Sequence, residues 1–249
     1  MKVIYHSRYE EVYESDPAAK AGRMESILKE VSPRFEIVKA EPAAVDDIRL
    51  VHSSTHIRHV QSMGLTYDIA LLAAGGAIKA AELAMNDDPA FGLIRPPGHH
   101  ASPSSCWGFC FFNNMAISIA KLRKDGLIQT AVILDIDLHY GDGTANIFQG
   151  VPDVAYFHPE ARDRQQFVDS ISQFLASAKA DVVAVSAGFD RHELDWGGLL
   201  KTEDYYTIGK LVKQFAEKIC QGRRFGVLEG GYNHNVLGKN VRAFVEGMS

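Results

Sequence analysis

The stretch "TAVILDIDLHYGDG", Thr130 to Gly143, sets an almost continuous apolar run against a polar, glycine-containing one. A strand with one wet face alternates apolar and polar residues. A run such as "TAVILDI" reads instead as a strand covered on both faces, as in a parallel sheet between helices. Three further runs share this character: "AFGLI" (Ala90 to Ile94), "DVVAVSA" (Asp181 to Ala187) and "FGVLE" (Phe225 to Glu229). Helical apolar spacing marks Met24 to Val31, Asp68 to Asn86, Asn113 to Gly126, Gln165 to Ala180 and Thr202 to Gly222. Helix and strand alternating in this way predict an α/β fold with right-handed crossovers. No repeat, low-complexity tract or linker interrupts the pattern, so residues 1–249 read as one domain.

Charge narrows the function classes. The formal net charge is -5, from 31 acidic and 26 basic residues, and no Lys/Arg block offers a nucleic-acid patch. Direct nucleic-acid binding is therefore not expected. The N-terminus turns polar at once, and no apolar run of membrane-spanning length occurs. Cys106, Cys110 and Cys220 form neither a disulfide framework nor a paired CxxC site. The expectation is a reduced, cytoplasmic protein without a membrane partner.

The residues just past each apolar run point to chemistry. "AFGLI" leads to "RPPGHHA", "TAVILDI" to "DLHYGDG", "DVVAVSA" to "GFDRH", and "FGVLE" to "GGYN". Each strand thus delivers titratable groups and glycines beyond its C-terminal end, the edge where open parallel sheets bind ligands. In an extended strand end, Asp135, Asp137 and His139 alternate with Ile136 and Leu138 and point to one side. Carboxylates and an imidazole converging there suit a divalent metal. Asp190, from another strand end, is the natural third ligand beside Asp137 and His139. That set leaves a coordination position open, as catalytic zinc sites do. Asp135 and Asp142 then remain to stand behind the adjacent imidazoles of His99 and His100, fixing their tautomers. Tyr232, after two glycines, could donate its hydroxyl to an oxyanion.

Taken in order, "RPPGHHA", "GFCFFNN", "DIDLHYGDGT", "SAGFD" and "EGGYN" closely resemble the zinc-dependent histone deacetylase superfamily. The superfamily includes acetylpolyamine amidohydrolases and class II-like prokaryotic members. The resemblance runs from about Val3 to the C-terminus. It implies an arginase–deacetylase-like single-domain parallel sheet of about eight strands flanked by helices. It implies one zinc per chain on Asp137, His139 and Asp190. It makes His99 and His100 the tandem catalytic histidines, backed by Asp135 and Asp142 respectively, and Tyr232 the oxyanion tyrosine. It also places Gly108 and Phe109 along a narrow acyl channel. The implied reaction is hydrolysis of an N-acyl amide, on an acylated lysine or a small molecule such as an acetylated polyamine. Oligomeric state is not legible.

Two trims depart from that pattern. "SMGLTYD" (Ser62 to Asp68) replaces a longer loop with a substrate-gripping acid, and only Asp68 is a candidate there. "VAYFHPEARDRQQF" (Val154 to Phe167) shortens the segment carrying a second channel-wall aromatic. Both predict a shallower, more open channel. The family often binds a potassium ion behind the zinc loop through carbonyls and a serine hydroxyl, where this chain has Tyr156. His52, His56 and His59 have helical spacing but no companion carboxylate and read as structural. The rival readings are a non-catalytic acyl-ligand or partner-binding member of the fold and a two-manganese ureohydrolase-like enzyme, which would want further aspartates, and there Asp195 follows Asp190 at some distance.

Overall fold

A computed structural model describes residues 1–249. The four apolar runs become strands β3 (Ala90–Gly92), β4 (Ala131–Asp135), β6 (Val182–Ala187) and β7 (Arg224–Leu228), buried at every position. Three further strands of four residues each complete the sheet: β1 (Lys2–Tyr5), β2 (Glu36–Lys39) and β5 (Val154–Phe157). The order is β2-β1-β3-β7-β6-β4-β5, and every pairing is parallel. There are seven strands rather than about eight. Sequence patterning misses β1, β2 and β5 for a physical reason. The edge strands β2 and β5 are partly exposed and carry no long apolar run, and β1 spans only four residues.

Helices cover the sheet. They are α1 (Arg23–Val31), α2 (Val45–Ile48), α3 (Ser54–Gln61), α4 (Leu65–Met85) and α5 (Asn114–Lys124). After them come α6 (Asp142–Phe148), α7 (Arg164–Ser177), α8 (Thr202–Ile219) and α9 (His234–Met248). The long, nearly all-apolar α4 lies against β1, β3 and β7, while α8 packs on α9, β6 and β7. One core of 58 buried residues runs from Val3 to Met248. No helix is long and apolar enough to cross a membrane. All three cysteines are free.

The structural reading of "VHSSTHIRH" holds for its two buried histidines. His52 Nδ1 lies 3.0 Å from the Ser102 carbonyl, and its Nε2 accepts from the Asn113 amide at 2.9 Å. His56 Nε2 lies 2.7 Å from the Phe111 carbonyl. Asn113 caps α5 through its Oδ1 on the Ala116 amide. Burial holds His52 at about 3, so it is neutral in the fold. Its bonds tie the segment before α3 to the segments around Ser102 and Asn113. His52→Leu strands the Asn113 amide and the Ser102 carbonyl in a dry interior. A loss of about 2–4 kcal/mol in urea unfolding is expected, since each stranded group costs roughly 1–3 kcal/mol. A stability equal to wild type would show that these bonds carry no weight.

Candidate active site

The polar segments after β3, β7, β6 and β4 meet at one place because those four strands are consecutive in the sheet. The His99–His100 loop is fixed from beneath. Glu229, buried at the end of β7, accepts from the Gly98 and His99 amides at 2.7 and 3.3 Å and from the Ser186 hydroxyl at 3.1 Å. Asn114 Nδ2 donates to the Pro96 carbonyl at 3.0 Å. The two imidazoles lie 4.1 Å apart, centre to centre. His99 Nδ1 is 3.0 Å from Asp135 Oδ2, and His100 Nδ1 is 2.6 Å from Asp142 Oδ1. A carboxylate only accepts, so each Nδ1 carries the hydrogen and each Nε2 is left for the cavity.

The two histidines differ in charge preference. Burial opposes a proton on His99, but the carboxylates of Asp135 and Asp137 outweigh it and hold its pKa well above the usual value. Burial, reinforced by the positive charge of His99, holds His100 below it. Similar partners in unequal surroundings therefore favour a proton on His99 over one on His100.

Asp137, His139 and Asp190 bring their ligand atoms within 4.8 Å of one another. Their other bonds aim them. Asp137 Oδ1 accepts from the His139 amide at 2.9 Å and its Oδ2 from the Gly230 amide at 2.8 Å. Asp190 Oδ1 accepts from the Leu138 amide at 3.0 Å, while its buried Oδ2 has no aligned hydrogen bond. Only His139 Nδ1 approaches that oxygen, at 3.3 Å. Gly188 and Gly230 press on the trio. A Cβ on Gly230 would stand 2.5 Å from Asp137 Oδ2 and 2.7 Å from Asp190 Oδ2. Burial and the Asp137 charge push Asp190 up to about 6, and the nearby carboxylates of Asp137 and Asp190 push His139 up to about 10. Such a cluster draws in positive charge. With its unpaired buried oxygen and mixed oxygen and nitrogen donors, it fits a divalent cation. Asp135 is not part of it: β4 ends there, and its side chain turns to His99.

A cavity of about 130 Å³ opens over this cluster, lined by His99, His100, His139 and Tyr232 among others. Gly108 and Phe109 form part of its wall, both with positive φ, at 60° and 66°. For Phe109 that conformation is strained, at a cost of order 1–3 kcal/mol. Tyr232 stacks on Trp196 at 4.0 Å and meets the edge of Phe109 at 6.1 Å. Its amide and that of Asn233 donate to Asp195 Oδ2, both at 2.8 Å, and Arg23 holds the Gly231 and Glu229 carbonyls. Burial, then the Asp137 and Asp190 charges, raise the Tyr232 pKa, so the hydroxyl keeps its proton.

The sequence reading missed the tryptophans. Trp107 stacks on His100 at 3.9 Å and donates to Asp142 at 2.9 Å; with Trp196 it narrows the channel that the two trims predict to be open. Trp107 stands just before the "GF" of the wall and Trp196 just before a glycine pair, weak signals in each case. Glu229 was visible as the acid closing a buried strand, but its bonds to the histidine loop were not. Asp68 lies outside the cavity lining, 3.7 Å from Arg8. Asp195, which a two-metal site would need, is committed to the Tyr232 turn. The Tyr156 hydroxyl donates to Asp135 Oδ2 and accepts from the Gly141 amide, both at 2.9 Å.

Comparison with known proteins speaks to the family and the fold. The family model described as "Histone deacetylase domain" matches residues 63–163 and 158–248. A probable deacetylase of Methanothermobacter thermautotrophicus is 31% identical over 100% of this chain and 90% of its own length. A probable deacetylase of Archaeoglobus fulgidus is 32% identical over 81% of this chain and 70% of its own. Among solved structures, the HD domain of HDA15 superposes with a TM-score of 0.84, over 99% of this chain and 90% of that one. At 22% identity, that likeness speaks for the fold.

Proposed function

This chain belongs to the histone deacetylase family, and from that premise we propose that it is a zinc-dependent amidohydrolase acting on an N-acyl lysine or polyamine-like substrate. The observation that carries the reading is two adjacent histidines, each with its own carboxylate, beside the Asp137–His139–Asp190 trio. Zinc held by that trio would supply Lewis acidity to the amide carbonyl and lower the pKa of water.

The chain's own groups then divide the proton work. His100, kept neutral, accepts the water proton at Nε2, while Asp142 and the Trp107 face steady the imidazolium that forms. Water oxygen bonds to the carbonyl carbon, the C–N bond breaks, and His100 returns the proton to the departing amine. His99, held charged by Asp135, provides electrostatic support. The Tyr232 hydroxyl donates to the oxyanion. A cavity of about 130 Å³ with aromatic walls favours a slim alkyl arm bearing a small acyl group. Residues 1–249 act as one catalytic domain around the shared core. The free cysteines fit a reducing, cytoplasmic setting. Partners are the substrate alone, with no nucleic acid and no membrane.

The test is a panel of acylated lysines, acetylated polyamines and small amides, assayed on zinc-loaded and chelator-stripped protein. Turnover of at least one substrate is expected with zinc and none without. His100→Ala should lose on the order of 10²–10⁴-fold, the usual contribution of a positioned acid–base group. Binding of acyl ligands without turnover across the panel would replace the enzyme with a binding protein of the same fold.

A further inference from the structure

We infer that Arg191 is a positioning residue, a built-in cation that holds the candidate metal loop from behind. It comes directly after Asp190, yet its side chain runs back under the end of β4 and is only 6% exposed. Its Nε donates to the Asp137 carbonyl at 2.9 Å, and its Nη2 to the Leu138 carbonyl at 3.3 Å. The same Nη2 lies 2.9 Å from His158 Nε2 and donates to the Pro159 carbonyl at 3.2 Å. The guanidinium carbon sits 4.8 Å from the centre of the Phe167 ring.

Arg191 takes part in none of the ion pairs within 4.0 Å. A guanidinium buried without a touching carboxylate is costly unless its donors are satisfied and charge lies near. Here Nε and Nη2 reach two carbonyls of the loop itself, and Nη2 shares its two hydrogens with His158 and the Pro159 carbonyl as well. Burial lowers the pKa of Arg191, and the charges of Asp137, Asp190 and Asp135 oppose that lowering. The arginine and the acidic site therefore support one another. Arg23 and Arg95 are also buried on carbonyl oxygens, but theirs belong to other segments.

The consequence lies in aim. Asp137 is held by Gly230 at Oδ2, by His139 at Oδ1 and by Arg191 at its carbonyl, which leaves its carboxylate little freedom to swing. Tyr156 braces the same loop through Asp135 and the Gly141 amide. His158, to which the sequence assigns no role, becomes the acceptor that orients the guanidinium. Arg191 touches neither substrate nor metal and acts through Asp137.

This inference rests on the reading of the trio as a zinc site. The test compares wild type, Arg191→Lys and Arg191→Met by zinc affinity in chelator competition and by thermal unfolding of the metal-free proteins. Arg191→Met is expected to bind zinc about 10–100-fold more weakly, the usual loss when a group supporting a ligand is removed. Its metal-free melting temperature should fall, because the Asp137, Leu138 and Pro159 carbonyls lose their donor, so zinc affinity is read on folded protein well below that temperature. Arg191→Lys keeps the charge without the fork and should fall between. It carries the comparison alone if the Met variant does not fold. Zinc affinities equal to wild type, or Lys no better than a folded Met variant, would overturn the assignment. So would a loss of stability with zinc affinity intact. Wild type that takes up no zinc would instead sink the zinc reading, and this inference with it.

Discussion

Asp190→Asn is expected to give a folded protein that retains no zinc and has no measurable amidase turnover. The asparagine Oδ1 can keep the bond from the Leu138 amide, so the local turn survives. What is lost is the anionic oxygen that lacks an aligned hydrogen bond. In its place the amide NH2, a donor with no lone pair free for a metal, faces the Asp137 carboxylate. Loss of a ligand should exceed the roughly 10–100-fold penalty seen for groups that merely support ligands. The metal-free variant should be no less stable than metal-free wild type, because the substitution removes a buried like-charge contact with Asp137. Zinc should raise the melting temperature of wild type but not of the variant, since only a ligand that binds the folded state stabilises it. Retained zinc and retained turnover in Asp190→Asn would remove this residue from the site.

Tyr232→Phe should separate chemistry from binding. The phenyl ring can keep its stacking on Trp196 and its edge contact with Phe109, and the backbone bonds to Asp195 do not involve the side chain. Only the hydroxyl goes. Removing one donor to a developing oxyanion costs on the order of 10²–10³ in kcat. That drop is expected with KM little changed and zinc content equal to wild type. A variant that turns over within a few-fold of wild type would take the hydroxyl out of the mechanism. One that loses zinc would make Tyr232 part of the metal site's support instead.

Much of the site was legible because its residues cluster at strand ends in short motifs. His99, His100, Asp137, His139, Asp142, Asp190 and Tyr232 all lie at the predicted edge. Asp135 shows where reading by period failed. Extended geometry put Asp135, Asp137 and His139 on one side. In the fold, Asp135 Oδ1 accepts from the Asp137 amide, and Asp137 Oδ1 from the His139 amide. These local bonds turn the chain once β4 has ended, sending Asp135 to His99 and Tyr156. Side chains of this type bond nearby backbone in ways that periodicity does not encode. Trp107 and Trp196 were missed for another reason. Each closes the cavity only because loops from different strands bring them over it.

By itself the sequence determined the four central strands and the residues at their ends. Continuous apolar runs marked β3, β4, β6 and β7 as strands covered on both faces, and their C-terminal ends carried the titratable groups. Only the tertiary structure decided that these strands stand in the order β3-β7-β6-β4, with Asp135 level with Ser186 across β4 and β6. Apolar patterning says that both faces of a strand are covered but not which strand lies beside it. Neighbours are settled by how the crossover helices pack, and that packing sets Arg191 under the Asp137 loop and gives each histidine its own carboxylate.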